Sequence, residues 1–329
     1  MSISKKINKI LVDYGFSEFI NWEKIDGGKI NFSAKVYADG NQYLLQALSP
    51  IFTEDLMDDT DVILGHLAKK SIPVPKIIRP DNGWIKTNGQ LWRLMEWLEH
   101  DESPFITDNN LIQCAEFLAK FHLALEDLDY KPKYKIPHFH ETKYFLEQLN
   151  DLSCHPESED ITDQIGIHNI RTILDAGQKL MFFDTLPQQI IHGDPKLGNY
   201  LIKNGRVLTL IDYDTFMLGS VLIDLCDMLR SLCKYGTNRT EFDFIAFDLL
   251  SDAYCRYNNK DYLTPKKILQ GTALIALELA TRYAVDCYSE PGKEYFFHKK
   301  DLYDTGLEQN LASFRAEYQY FQNIYKLLK

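Results

Sequence analysis

Much that would announce a nucleotide or membrane protein is missing from this chain. There is no G-x-x-x-x-G-K-[ST] loop and no G-x-G-x-x-G fingerprint, so neither a Walker phosphate cradle nor a dinucleotide motif marks a site. No apolar run approaches the roughly 20 residues a membrane span needs, and Met1 to Lys6 is not followed by the apolar core of a signal peptide. Basic residues are outnumbered, 36 against 47 acidic, for a formal charge of −11. That balance argues against a non-specific nucleic-acid binder or a basic membrane-surface protein. It leaves room for a nucleotide, which needs only a local basic patch or a metal. The six cysteines (114, 154, 226, 233, 255 and 287) form no C-x-x-C pair, and no histidine cluster has zinc spacing. Repeats and low-complexity tracts are absent. A soluble cytoplasmic protein with reduced thiols is expected.

What is present is ordinary globular material: 329 residues, 45% hydrophobic and 25% charged, enough for two domains or one large lobed domain. Ile3 to Phe16 carries a helical apolar stripe ending at Gly15. Asp26-Gly27-Gly28 is a turn signal, after which Ile30, Phe32, Ala34 and Val36 alternate with polar residues as a half-buried strand does. Ala38-Asp39-Gly40-Asn41 reads as a hairpin turn and Tyr43 to Leu48 as the returning strand. Leu56 to Lys70 reads as a helix with acids early and lysines late, stopped by Ile72-Pro73-Val74-Pro75. A second hairpin surrounds Thr87-Asn88-Gly89, and its last strand runs through Glu96 into the polar Asp101-Glu102-Ser103-Pro104. This boundary divides the chain into a sheet-rich lobe (1–96), a hinge (97–100) and a larger helical lobe (101–329). The fold class is therefore α+β.

In the second lobe Thr107-Asp108 caps a helix reaching residue 125, with His122 on its buried face as a satisfied core residue. Tyr130 to Asp160 reads as a polar, proline- and histidine-containing loop, so His138, His140 and Glu141 are expected to be solvated and not metal-bound. Further helices are expected over 170–183, 242–257, 265–283 and 301–328.

The most informative stretch is Ile190-Ile191-His192-Gly193-Asp194-Pro195-Lys196-Leu197-Gly198-Asn199-Tyr200-Leu201-Ile202, with Leu210-Ile211-Asp212 shortly after. An apolar pair leads into a loop bearing Asp194, with Asn199 five positions on and Asp212 thirteen beyond that. A phosphoryl-transfer site of the kinase type is assembled this way. One carboxylate takes the proton of the attacking hydroxyl, while an amide and a second carboxylate hold Mg2+ on the nucleotide phosphates.

His192-Gly193-Asp194 with Asn199 and Ile211-Asp212 resembles the aminoglycoside phosphotransferase and choline kinase family, small-molecule kinases with a two-lobed protein-kinase-like fold. Asp212-x-Asp214-Thr215-x-Met217-x-Gly219 is similar to the D-x-D-T-V-M-P-G of its N-acetylhexosamine 1-kinase branch, with Phe216 and Leu218 departing. Lys29-Ile30-Asn31, Tyr43-Leu44-Leu45-Gln46, Thr281 to Asp286 with Tyr295-Phe296, and Asn310-Leu311-Ala312 with Arg315 and Gln319 resemble further stretches of that branch.

The resemblance implies that Asp194 is the catalytic base and that Asn199 and Asp212 are the Mg2+ ligands. It implies that His192 fixes the loop, that Asp224 buttresses it, and that the backbone of the hinge around Met95-Glu96-Trp97-Leu98 bonds the adenine of ATP. The family's strand lysine has no counterpart: Gln46 stands near that place, as in the hexosamine-kinase branch, and Lys35 on the preceding strand is the candidate phosphate contact. Asp214, Arg282, Asp286 and Tyr288 are candidate substrate contacts. The expected substrate is a small hydroxyl-bearing molecule, with a sugar such as an N-acetylhexosamine foremost. An aminoglycoside or amino alcohol gripped by Glu157, Glu159 and Asp160 is the alternative, and a pseudokinase scaffold the alternative of another class. No nucleic-acid or membrane partner is expected.

Overall fold

The computed structural model describes residues 2–17, 19–26, 30–288 and 306–329. The turn at Gly27-Gly28, Lys29, Tyr295-Phe296 and the start of the expected last helix lie outside them. Helix α1 (Ile3–Asp13) packs on a five-stranded antiparallel sheet of β1 (Phe19–Ile25), β2 (Phe32–Ala38), β3 (Asn41–Ala47), β4 (Ile85–Thr87) and β5 (Gln90–Glu96), in the order β1-β2-β3-β5-β4. Helix α2 (Glu54–Lys69) lies between β3 and β4 in sequence. The hairpin turn falls where the dipeptide demands it, since Asp39 and Gly40 both have positive φ, 44° and 77°, which suits an Asx-Gly pair matching strand twist. Strand β1 escapes the sequence reading because it is an edge strand, and Phe-Ile-Asn-Trp-Glu-Lys-Ile shows no clean alternation.

The second lobe is mainly helical: α3 (Asp108–Leu125), α4 (Thr142–Ser153), α5 (Glu159–Ile165) and α6 (Ile167–Leu180) precede the site. The short strands β6 (Gln189–Ile191), β7 (Tyr200–Lys203), β8 (Arg206–Leu210) and β9 (Met217–Gly219) carry it. Then come α7 (Val221–Leu232), the small hairpin β10 (Lys234–Tyr235) and β11 (Glu241–Phe242), α8 (Phe244–Cys255), α9 (Pro265–Cys287) and α10 (Leu307–Tyr325). Thr107 caps α3 through a reciprocal box with Asn110. Helix α9 is the axis of this lobe, packing against α10, α7, α4 and α6 with a nearly continuous buried surface from Ile268 to Ala284. Among the described residues no helix is long and apolar enough to cross a membrane.

One expectation is corrected here. Tyr130 to Asp160 is not a loop throughout, because Thr142, Leu146 and Leu149 form the buried stripe of α4. Polar residues and the prolines at 132 and 137 mask that short stripe.

The lobes share an apolar cluster. Ile63, Leu64 and Leu67 of α2 and Met95 of β5 pack with Phe121 of α3, Ile190 of β6, and Tyr213 and Phe216. Tyr213 and Phe216 stack at 5.5 Å and flank the turn that follows Asp212. That turn is thus clamped from both lobes.

Candidate active site

Strand β6 pairs antiparallel with β9, which brings the two ends of the conspicuous stretch together: the loop after Ile191 and the turn before Met217. Gly193 sits where they touch. Its φ is +89°, and an added Cβ would lie 2.5 Å from the Thr215 carbonyl oxygen, so only glycine fits.

Below the loop stands Asp224 of α7, fully buried. Its Oδ2 accepts from the His192 backbone N–H at 2.7 Å and its Oδ1 from the Gly193 N–H at 2.8 Å. His122 Nε2 lies 2.9 Å from Oδ2, and His122 Nδ1 lies 2.7 Å from the Tyr254 hydroxyl. Burial alone would raise the Asp224 carboxyl, but His122 and the loop N–H groups outweigh it and hold the carboxyl below its ordinary value. His192 points the other way. Burial keeps it neutral by lowering its pKa. Its Nδ1 accepts from the Asp194 N–H at 3.3 Å, so Nε2 carries the proton and donates to the Ile211 carbonyl at 3.0 Å. The imidazole therefore ties the loop bearing Asp194 to the strand end bearing Asp212.

Asp194 keeps about a fifth of its side chain exposed, 22%, at the loop surface. The Asn199 Nδ2 donates to the Asp194 carbonyl at 2.7 Å and to its Oδ2 at 3.3 Å, which leaves the amide oxygen Oδ1 for a metal. The Asn199 carbonyl in turn accepts from the Ile211 N–H at 2.7 Å. Asp212 follows in the left-handed region at φ 75°, a conformation a non-glycine residue holds only when its surroundings impose it. Protein crowds it on one side while the residue remains open to solvent on the other. That burial, together with repulsion from Asp214 and Asp194, pushes its carboxyl up to about 6, with Lys196 and Arg93 opposing. Hard oxygen donors in mutual repulsion are the surroundings a divalent cation relieves, and Mg2+ characteristically takes one or two protein ligands plus phosphate oxygens. Asn199 and Asp212 fit that demand. Among the described residues no group of three or more His, Cys, Asp or Glu side chains could hold a metal alone.

The structure brings the remaining site residues to different places. Lys35 lies beside the segment after β5, its Nζ 4.6 Å above the Trp97 ring and 3.9 Å from Glu99 Oε1. Gln46 accepts from Arg93 and donates to Ser33 Oγ at 3.2 Å. The Glu96 N–H is bonded to the Lys76 carbonyl, while the Leu98 carbonyl faces His100 Nδ1 at 2.7 Å. Asp214 is buried against Arg93 and Asn31. Arg282 lies over the Phe145 ring at 5.6 Å. The Asp286 carboxyl is pushed up to about 6 by burial, with Arg282 opposing, and the Tyr288 hydroxyl is 2.9 Å from Thr162 Oγ1.

Four charged residues at the site were not expected from the sequence. Lys196, two positions after Asp194, makes an ion pair with it. Burial works against the Lys196 charge, but Asp194, Asp212 and Asp227 outweigh it and raise its pKa. Asp227 pairs with Arg230 on α7. Arg93 is a charge inside the apolar run Leu-Trp-Arg-Leu-Met of β5, and that interruption was the available signal. His140, expected to be solvated, is instead a corrected reading: its side chain is 7% exposed. Its Nε2 donates to the Gly193 carbonyl at 2.7 Å and its Nδ1 lies 3.3 Å from Glu278 of α9.

A small sheet lobe over a helical lobe, with a loop aspartate, an asparagine and a turn aspartate gathered between them, defines a protein-kinase-like phosphotransferase. The chain belongs to the phosphotransferase enzyme family (APH), whose profile matches residues 22–258. It is a phosphotransferase acting on hydroxyl groups. Solved structures share the fold. An amicoumacin kinase in complex with AMP-PNP, Ca2+ and Ami matches with a TM-score of 0.66 at 15% identity, over 97% of this chain and 93% of that one. An aminoglycoside phosphotransferase from Alicyclobacillus acidocaldarius matches at 0.61 and 12% identity, covering 95% and 94%. A microcompartment-associated aminopropanol kinase matches at 0.65 and 11% identity, covering 96% and 95%.

Proposed function

We propose that this chain transfers the γ-phosphoryl group of ATP, with Mg2+, to a hydroxyl of a neutral, sugar-like acceptor such as an N-acetylhexosamine. The adenine binds at the hinge backbone around Glu96 to Leu98, between the lobe of residues 1–96 and that of 101–329. Asp194 takes the acceptor proton, which raises the nucleophilicity of the oxygen as it forms its bond to phosphorus. Mg2+, held by Asn199 Oδ1 and Asp212, would neutralise charge on the phosphates. Lys196, already on Asp194, supplies a positive charge beside the transferring group. The Asp224 carboxylate and the His192 and His140 rings hold the loop so that none of these groups must reorganise during transfer.

The observation that supports a neutral acceptor is charge balance. Among the described residues, three carboxylates around the Asp194 loop carry cationic partners, Asp194 with Lys196, Asp227 with Arg230 and Glu278 with His140, and Asp212 is the acid assigned to the metal. A site for a polycationic aminoglycoside requires acids in excess. The acids that would have supplied them stand exposed, Glu157 in the turn before α5 and Glu159 and Asp160 in its first turn, where the latter two suit the helix dipole. Arg282, Asp286 and Tyr288 at the end of α9 remain the proposed acceptor contacts.

The test is ADP release across hexosamines, neutral hexoses, aminoglycosides, choline and homoserine. Turnover with an N-acetylhexosamine or other neutral sugar, and none with aminoglycosides, is expected; the reverse pattern refutes the sugar assignment. Asp194→Asn is expected to lower kcat by about 10²-fold or more with nucleotide affinity retained.

A further inference from the structure

Protein kinases join their lobes through a lysine on the third strand paired with a glutamate on the following helix, and activity requires the pair to be in place. Neither half of that pair is present here. Gln46 stands on β3, and the buried acid of α2, Asp59, is fully committed elsewhere: its carboxylate accepts from the Tyr130 hydroxyl at 2.6 Å and from the Lys133 and Tyr134 N–H groups at 2.8–3.0 Å.

The charge lies one strand over. Arg93 is the cross-strand neighbour of Gln46 in the β3–β5 ladder. Its Nε and Nη2 donate to Gln46 Oε1 at 3.1 and 2.7 Å, and its Nη1 donates to Asp214 Oδ1 at 2.6 Å. The other Asp214 oxygen accepts from Asn31 Nδ2 at 2.6 Å, and Asn31 Oδ1 accepts from the Ser49 N–H at 2.8 Å. Both oxygens of an acid in the lower lobe are therefore held by the upper sheet lobe. Arg93 and Asp214 side chains are 2% and 5% exposed. A buried ion pair is seldom worth more to stability than an apolar substitute of equal volume, so this one calls for a positional reason. Asp214 is two residues after Asp212, in the same short turn, and Asp212 holds its left-handed conformation there.

We propose that Arg93 is a positioning residue: through Asp214, with Gln46 aiming its guanidinium and Asn31 closing the second oxygen, it sets the Asp212 turn against the sheet lobe. Arg93 replaces the coupling half of the lysine–glutamate pair, and Asp214 serves as its partner. Outer partners that orient a metal ligand characteristically change metal affinity by about 10–100-fold when removed.

This rests on the reading of the chain as an ATP- and Mg2+-dependent phosphotransferase, so the first measurement is on the wild type. Mn2+ binding is followed by electron paramagnetic resonance in the presence of a non-hydrolysable ATP analogue, together with analogue affinity in EDTA. A wild type that binds no metal with the analogue overturns that reading and the proposal together. Given binding, Arg93→Gln and Asp214→Asn are each expected to weaken Mn2+ binding by about 10–100-fold, and to lower kcat with the acceptor KM unchanged. Analogue affinity in EDTA should stay within about threefold. The double variant should be no worse than either single one, because both remove one coupling. Asn31→Ala leaves the buried charges paired and keeps the fold testable; a smaller loss of Mn2+ affinity in the same direction is expected. Unchanged Mn2+ affinity in folded Arg93→Gln or Asn31→Ala, or additive losses in the double variant, overturns the proposal.

Discussion

Glu278→Gln tests the least expected element of the site, the buried pair that holds the catalytic loop from α9. His140 lies between two acceptors: the Gly193 carbonyl at 2.7 Å from Nε2 and Glu278 Oε1 at 3.3 Å from Nδ1. The first contact is a hydrogen bond and the second an ion-pair approach, and it is the attraction of the buried Glu278 carboxylate that favours the imidazolium. Burial opposes that charge, but Glu278 and, further off, Asp227 outweigh it and raise the pKa from 6.5 to about 9. Glu278 is correspondingly held below its ordinary value despite its own burial, by His140, Arg282 and the Thr142 hydroxyl. Raising a pKa from 6.5 to about 9 corresponds to about 3 kcal/mol. The folded pKa lies above the unfolded one, so this contribution is complete below about pH 6.5 and is lost as pH rises through about 9. Urea unfolding from pH 6 to 10 should show the wild type more stable than Glu278→Gln by about 3 kcal/mol at the acid end, with the difference shrinking towards pH 10. The wild-type kcat should fall over the same alkaline limb, because the Gly193 carbonyl loses its charged donor next to Asp194. A stability difference constant across the range, or a variant that keeps the wild-type slope, refutes the imidazolium assignment.

Four further outcomes follow from the same geometry. Asp224→Asn replaces one of two acceptor oxygens with an NH2 group facing the loop N–H donors, and should cost about 3 kcal/mol or more in urea unfolding. Gly193→Ala places a methyl 2.5 Å from the Thr215 carbonyl at φ +89°; about 1–3 kcal/mol of backbone strain is expected, with a loss of kcat larger than the loss of Tm suggests. Lys196→Ala should lower kcat by about 10²-fold with acceptor KM little changed, and a larger effect on KM would make Lys196 a binding group. EDTA should bring turnover to background and Mg2+ should restore it; turnover persisting in EDTA removes Asn199 and Asp212 as ligands.

The parts legible in the sequence are those whose partners are close along the chain. The Asp39-Gly40 turn, the helix cap at Thr107 and the stretch from His192 to Asp212 carry their geometry in local spacing. Asp224 is further off, and family resemblance, not periodicity, pointed to it. The unread parts depend on distant pairing. Arg93 and Asp214 are 121 positions apart, and Thr142 meets Glu278 across 136. No window along the chain contains both members of such a pair. His140 looked solvated because its neighbours are prolines and polar residues, yet the fold lays that segment against α9. Helix α4 was missed for the same reason, since its apolar stripe is short and its flanks are polar.

The distribution of buried charge explains why these distant pairs matter. Asp212 and Asp194 repel one another, and the fold must hold them in place against that repulsion. It does so by tying both to His192 and giving Asp212 a further support from the sheet lobe. Asp194 is fixed from the helical lobe, through Asp224, His192 and His140 acting on the loop backbone. Asp212 is fixed by the same His192 through the Ile211 carbonyl, and also by the turn that Arg93 grips from the sheet lobe. A change in lobe orientation would therefore act on the turn directly and reach Asp194 only through His192 and Asn199. On the proposed function, nucleotide and metal bind between these supports and are coupled to lobe position, whereas proton abstraction by Asp194 depends chiefly on the helical lobe. Variants of Arg93 should thus lower metal affinity and, with it, kcat at every pH, whereas Glu278→Gln should lower kcat below about pH 9, where the wild type keeps its imidazolium, with Mn2+ affinity little changed; a Glu278→Gln variant that weakens Mn2+ binding as much as Arg93→Gln does would show that the two supports act as one.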